Sequence, residues 1–175
     1  MNIGMIGAGR IGKIHAENIS KFCSGVTLKA IADPYIDEAW AAGMNIPVVS
    51  KARSVVLDDP EIDAVFICSA SDTHAQFIIE AAERGKHIFC EKPIALTIDS
   101  AKKAIAAAKG NNVKLQVGFN RRFDSDFYAM QKMVSNGDLG EVHTIKIVSR
   151  DPEPPHASYL AVASDMFTDM TIHDF

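Results

Sequence analysis

Cysteine is scarce in this chain. There are three in 175 residues (Cys23, Cys68 and Cys90), at spacings that suit no metal. An odd count with no secretion signal reads as reduced thiols and excludes a disulfide framework. Charge of one sign is nowhere concentrated. The net charge of −4 arises from interspersed acids and bases, so no segment suits nucleic acid or an anionic membrane surface. Long apolar runs are also missing, and none approaches the ~20 residues of a membrane helix. Met1 leads straight into Asn2-Ile3-Gly4-Met5-Ile6, without the basic region, apolar core or cleavage site of a leader. A cytoplasmic protein is expected. No internal repeat or low-complexity tract interrupts the chain.

What is present is the pattern of an α/β protein. Hydrophobic residues make up 47% of the chain, as in an ordinary globular protein, and 175 residues are enough for one packed domain, or one and a fragment of a second. Strand-length apolar runs fall at 2–6, 27–32, 63–68, 86–90 and 113–118, with a weaker one at 46–49. Amphipathic segments of helix length fall at 10–22, 35–43, 51–57, 74–85, 98–109 and 124–136. Runs such as Ala64-Val65-Phe66-Ile67-Cys68 suit parallel strands buried on both faces. The alternation predicts a Rossmann-type doubly wound parallel sheet over 1–119.

Beyond residue 119 the pattern changes. A helix over 124–136 leads into a turn-rich stretch, Asn136-Gly137-Asp138-Leu139-Gly140, and then a period-two strand over 142–148. Pro152, Pro154 and Pro155 make a stiff loop. Residues 164–175 read as the start of a helix. Residues 120–175 are therefore expected to begin an α+β second domain and leave it incomplete.

Gly7-Ala8-Gly9-Arg10-Ile11-Gly12 fits G-x-G-x-x-G between a predicted strand and a predicted helix. Gly7 makes the tight turn, Gly9 lets backbone approach a pyrophosphate, and Gly12 lets helix and strand pack closely. The helix N-terminus offers N–H groups and a positive dipole end to phosphate. Arg10 either touches the pyrophosphate or is a solvated surface arginine. Twenty-one residues after Gly12, the second strand ends at Asp33. A carboxylate there accepts from the adenosine ribose and repels a 2′-phosphate, so NAD is favoured over NADP.

Ligands in such a sheet lie beyond the strands' carboxyl ends. Ser69-Ala70-Ser71-Asp72-Thr73-His74 follows strand four, with Ser71 or Asp72 able to cap the next helix. Ser69, Ser71 and His74 are cofactor-binding candidates, and His74 is equally a helix-start residue. Glu91-Lys92-Pro93 follows strand five. Lys92 there would polarise a substrate oxygen, with Glu91 holding its ammonium; without that context a surface lysine is the better reading. Gly118-Phe119-Asn120-Arg121-Arg122 follows strand six.

Together these segments, with Asn120-Arg121-Arg122-Phe123-Asp124, Ser149-Arg150-Asp151-Pro152 and Asp169-Met170-Thr171-Ile172-His173-Asp174, resemble the glucose–fructose oxidoreductase and inositol dehydrogenase family. The likeness spans the chain and is greatest to inositol 2-dehydrogenases. It implies an NAD-dependent oxidoreductase that transfers hydride from a secondary alcohol of a cyclic polyol or sugar. It implies catalytic roles for Lys92, Asp169 and His173: Lys92 polarising the oxygen, often with a cis peptide before Pro93, and His173 as general base tuned by Asp169. Helical spacing puts Asp169 and His173 on one face, although spacing alone reads as a solvated pair. Arg122 and Arg121 would line the site near the nicotinamide, with Asp151, His156 and Tyr159 as candidates in the substrate-side loop.

Family members are longer, and an open sheet forms their pocket wall and oligomer interface. The resemblance therefore implies an incomplete pocket here and a homo-oligomer for a full-length form. Ser164-Asp165 replaces the family's Gly-Gly pair. Two other readings remain: a truncated nucleotide-binding fragment, and a dinucleotide sensor without turnover. No metal and no nucleic-acid partner is expected.

Overall fold

The computed structural model describes residues 1–150, 153–154 and 165–174. The chain divides into two compact units, Met1–Gly118 and Phe119–Phe175. Among the described residues, no helix is long and apolar enough to cross a membrane.

The first unit is a six-stranded sheet: β1 (Asn2–Ile6), β2 (Thr27–Ala32), β3 (Val48–Ser50), β4 (Ala64–Ile67), β5 (His87–Cys90) and β6 (Leu115–Val117). The strand order is β3-β2-β1-β4-β5-β6, and every neighbouring pair is parallel. The order reverses between β1 and β4, so their carboxyl ends diverge and leave a crevice. The sequence predicts this doubly wound sheet because the central strands are apolar on both faces. Met5, Ile31, Val65 and Ile67 are fully buried.

Connecting helices cover both faces. α1 (Arg10–Phe22) and α2 (Glu38–Gly43) belong to one face, where Ala16 and Ile19 pack with Ile3, Met5 and Leu28. α3 (Ser54–Leu57), α4 (His74–Glu83) and α5 (Ile98–Gly110) belong to the other, where Val56, Ile78 and Ala104 pack with Ile6, Val65 and Ile88. A Cβ on Gly4 would stand 2.5 Å from Val56 Cγ1, so α3 lies close enough to β1 to exclude any larger residue.

Two helices start three residues later than the pattern predicts. α2 begins at Glu38 rather than 35, because Asp33 accepts the Tyr35 N–H and Asp37 caps the helix by accepting from Trp40 N–H. α3 begins at Ser54 rather than 51, because Ser50 Oγ ties the Ala52 N–H into a turn. α4 is capped by neither Ser71 nor Asp72. A 3-10 turn, Ser71–Thr73, precedes it, and its N-cap is Thr73, with no side-chain cap hydrogen bond.

In the second unit a 3-10 turn (Asn120–Phe123) leads into α6 (Ser125–Ser135). Asp124 caps α6, accepting from the Asp126 and Phe127 N–H groups. The strand expected over 142–148 does not form, and these residues carry no regular structure. A period-two pattern needs a neighbouring backbone to pair with, and among the described residues none is paired with this stretch. The helix expected over 164–175 is broken: α7 (Met166–Asp169) is followed by a 3-10 turn, Thr171–Asp174.

Candidate active site

The β1–α1 loop forms the floor of the crevice. Gly7 has φ +99°, and a Cβ there would lie 2.4 Å from the Cys68 carbonyl carbon. It therefore has to be glycine on both conformational and steric grounds. A Cβ on Gly12 would lie 2.2 Å from Gly7 O, so α1 is pressed against its own entry turn. Gly9 differs. It has ordinary backbone angles (φ −68°) as the helix N-cap, and its Cβ would meet no protein atom within 4 Å. The space beside Gly9 is open, a cradle at the N-terminus of α1 where backbone N–H groups are available to an anion. Arg10 and Ile11 are exposed at that terminus.

Asp33 closes the loop from β2. Its Oδ2 accepts the Ala8 N–H at 2.6 Å and its Oδ1 accepts the Tyr35 N–H at 2.7 Å. A carboxylate offers roughly four acceptor sites, so capacity remains for ribose hydroxyls. The turn-former and ribose-acceptor readings are thus compatible. Beside Asp33 a cavity of about 550 Å³ opens at the carboxyl ends of β1 to β4, lined by Gly7, Asp33, Lys51, Arg53, Ser69 and Phe77 among others. The Arg53 guanidinium stands 5.1 Å over the Phe77 ring and pairs with Glu80 at 2.9 Å. That pairing holds the Glu80 carboxyl below its usual range. Sequence reading missed Lys51, Arg53 and Phe77, although the strand-end rule applied to β3 leads to the first two.

Ser69 lies half-buried on the same wall. Its Oγ meets Thr73 Oγ1 at 2.7 Å, and Thr73 Oγ1 donates to Ala70 O. With the threonine proton committed, Ser69 donates to Thr73 and keeps acceptor capacity. Ser71 is half-buried in the 3-10 turn. His74, a cofactor-binding candidate from sequence, is placed elsewhere: it is 1% exposed, with Nδ1 at 2.7 Å from Pro93 O and Nε2 at 3.1 Å from Ser69 O. It braces two strand ends from inside. Cys68 and Cys90 are buried, and burial pushes both thiols up, which keeps them protonated and unreactive.

Glu91 and Lys92 follow β5, and the Lys92–Pro93 peptide is cis. Glu91 Oε1 meets His15 Nε2 at 2.7 Å, and Oε2 accepts the Lys92 backbone N–H at 3.3 Å. The His15 ring packs edge-on against Phe66 and Phe89, with centroids 5.9 and 5.1 Å away. Sequence reading passed over His15, which no short-range pattern marks.

Within the second unit, Arg121 pairs with Asp174, donates to Ser149 Oγ at 3.2 Å and stands 4.9 Å over the Phe127 ring. Arg122 is exposed in the 3-10 turn. Asp169 ends α7, and the His173 N–H donates to Met170 O within the following turn. The four-residue spacing therefore does not run along one α-helix, as the shared-face reading requires. Asp165 caps α7, accepting from Thr168 and Phe167 N–H, and these bonds hold its carboxyl below the usual range. Asp151, His156 and Tyr159 lie outside the described residues.

Residues 1–119 match the family model described as an oxidoreductase family with an NAD-binding Rossmann fold. The chain is 48% identical to an uncharacterized oxidoreductase, YrbE, of Bacillus subtilis, over 98% of this chain and 51% of that protein. It is 42% identical to a myo-inositol 2-dehydrogenase of Thermotoga maritima, over 100% of this chain and 53% of that protein. Among solved structures it resembles a scyllo-inositol dehydrogenase of Lactobacillus casei with bound cofactor NAD(H) and scyllo-inositol. The TM-score is 0.76 at 35% identity, over 81% of this chain and 42% of that one. The chain spans about half the length of the curated relatives it matches. With its glycine loop, strand-end carboxylate and β3-β2-β1-β4-β5-β6 sheet, this chain belongs to the oxidoreductase family with an NAD-binding Rossmann fold.

Proposed function

We propose that the chain is the cofactor-binding part, with the opening of the substrate domain, of an NAD-dependent dehydrogenase acting on a secondary alcohol of an inositol-like cyclic polyol or sugar. The supporting observation is the pairing of the Gly9 cradle and Asp33 with a lysine two residues past β5, in a chain 42% identical to a myo-inositol 2-dehydrogenase. Residues 1–119 are the dinucleotide domain and 120–175 begin the substrate and oligomerisation domain. The full-length form is a cytoplasmic homo-oligomer.

Gly7, Gly9, Arg10, Ile11 and Gly12 hold the pyrophosphate, and Asp33 accepts the adenosine ribose hydroxyls. Ser69, Ser71, Glu91, Lys92 and Arg122 complete the cofactor contacts. His74 acts from behind Ser69, through its carbonyl. Bound NAD supplies the hydride acceptor. Lys92 orients and polarises the alcohol oxygen. His173 takes and holds the hydroxyl proton, so that the alcohol would become a ketone when NAD accepts the hydride. Asp169 contacts substrate and orients His173. Histidine suits this step because its ordinary pKa lies near working pH.

The test is NADH formation from myo-inositol beside NAD titration. Turnover that falls by about 10²- to 10⁴-fold in Lys92→Ala, far more than NAD affinity falls, supports the reading. Turnover retained in that variant removes Lys92 from the mechanism. NAD binding without turnover on any polyol points instead to a truncated nucleotide-binding fragment or a dinucleotide sensor.

A further inference from the structure

Lys92 lies where the regular structure stops. The Glu91 N–H donates to Ile67 O at 2.9 Å, the last ladder bond of β5 on that side. Pro93 has no N–H, and the next helix starts only at Ile98. The backbone of such a connection depends on contacts from outside the strand ladder.

Two buried or half-buried histidines anchor it from opposite sides. His15, on α1, reaches Glu91 Oε1 at 2.7 Å. The other oxygen of the same carboxylate accepts the Lys92 N–H. His15 cannot easily swing away, because its ring sits edge-on to Phe66 and Phe89, which stack on each other at 4.6 Å. Gly118 leaves the carboxylate its place, since a Cβ there would come within 3.1 Å of Glu91 Oε2. His74, the first residue of α4, holds the far side through Pro93 O at 2.7 Å and reaches Ser69 O with its other nitrogen. Both helices start from loops at the cofactor crevice, α1 from the glycine loop and α4 from Ser69–Thr73.

We infer that His15 and His74 are positioning residues for Lys92, clamping the Glu91-Lys92-Pro93 turn to the two helices that start at the cofactor loops. The inference rests on the role proposed above for Lys92. Neither histidine touches the reacting atoms. The His15–Glu91 bond needs only an N–H donor against a carboxylate, a contact stronger than a neutral one, and a glutamine amide can supply it.

The experiment measures kcat, KM for myo-inositol, NAD Kd and the hydrogen-exchange rate of the Lys92 amide by NMR. It compares the unaltered protein with His15→Phe and His15→Gln. His15→Phe is expected to lower kcat by about 10- to 100-fold, the scale of a reacting group displaced by ~1 Å. KM and NAD Kd should change by much less than kcat, and the Lys92 amide should exchange faster. His15→Gln should restore both kcat and slow exchange. His74→Leu, which strips Pro93 O of its donor, is read beside His74→Asn, which keeps one; should the leucine variant not fold, the His15 pair decides. An unchanged kcat and unchanged Lys92 exchange in His15→Phe overturns the inference. So does equal loss of NAD binding and β1 amide protection in both His15 variants, which would mark ordinary packing. If the unaltered protein binds NAD but turns over no polyol, the chain is a nucleotide-binding fragment or a sensor, and the catalytic role of Lys92 is lost from this chain. The clamp is then decided by exchange alone: faster in His15→Phe and restored in His15→Gln sustains it, and no change refutes it.

Discussion

Replacing Asp33 by alanine should change which dinucleotide the protein prefers. The carboxylate does two things at once. It holds the Ala8 N–H at 2.6 Å and the Tyr35 N–H at 2.7 Å, and it faces the cavity at the end of β2. Removing it leaves the partly buried Ala8 N–H without its acceptor, a cost of about 1–3 kcal/mol. That loosens the glycine loop and weakens both dinucleotides alike. The ribose hydroxyls lose bonds to an ionised acceptor, worth about 1.5–3 kcal/mol, so NAD Kd should rise about 10- to 100-fold. A 2′-phosphate escapes a like charge worth about 1–4 kcal/mol at ~4 Å, between the limits of water and a partly shielded surface. The ratio of NADP to NAD Kd cancels the shared loop damage and should fall by about tenfold or more. Titrating each reduced cofactor by its fluorescence gives the ratio directly. A ratio that stays where it was, in a variant that still folds, refutes the assignment of Asp33 to the ribose.

Gly12→Ala places a Cβ 2.2 Å from the Gly7 carbonyl oxygen, and neither backbone can retreat without dismantling the loop. A destabilisation of about 3 kcal/mol or more is expected in urea melts, and a wild-type midpoint would contradict that packing. Glu80 gives a pH signature, because Arg53 lowers its folded-state pKa. The pair's contribution is complete above the ordinary glutamate value of 4.5 and is lost as pH falls through the lower folded-state value. Arg53 is 47% exposed, so solvent screening limits the pair to about 1 kcal/mol or less. Melts of wild type and Glu80→Gln should differ near neutral pH and converge in acid. A gap that persists in acid would show that the residue acts through something other than its charge.

The fold was legible because its signals are local. Val65 and Ile67 sit in an unbroken apolar run, and Gly7 and Gly12 fall where strand gives way to helix. What stayed hidden depends on distant partners. His74 looks like any helix-start histidine until Pro93, nineteen residues on, closes over it. His15 and Glu91 lie seventy-six residues apart. Residues 142–148 alternate correctly for a strand, yet alternation describes the faces of a strand and supplies no neighbour. α2 starts late because the Asp33 and Asp37 carboxylates compete for backbone N–H groups, a preference that hydrophobic period does not record.

The central claim is that the loop at Gly7–Gly12 cradles a pyrophosphate, and Gly9 isolates it. Its backbone angles suit alanine, and an added Cβ meets no protein atom within 4 Å, so Gly9→Ala should leave stability within about 0.5 kcal/mol of wild type. The measurement is a calorimetric titration of NAD into both proteins. The account predicts NAD affinity lowered by about tenfold or more in Gly9→Ala, since a methyl takes the space where phosphate meets backbone. Equal affinity in the two proteins would contradict it.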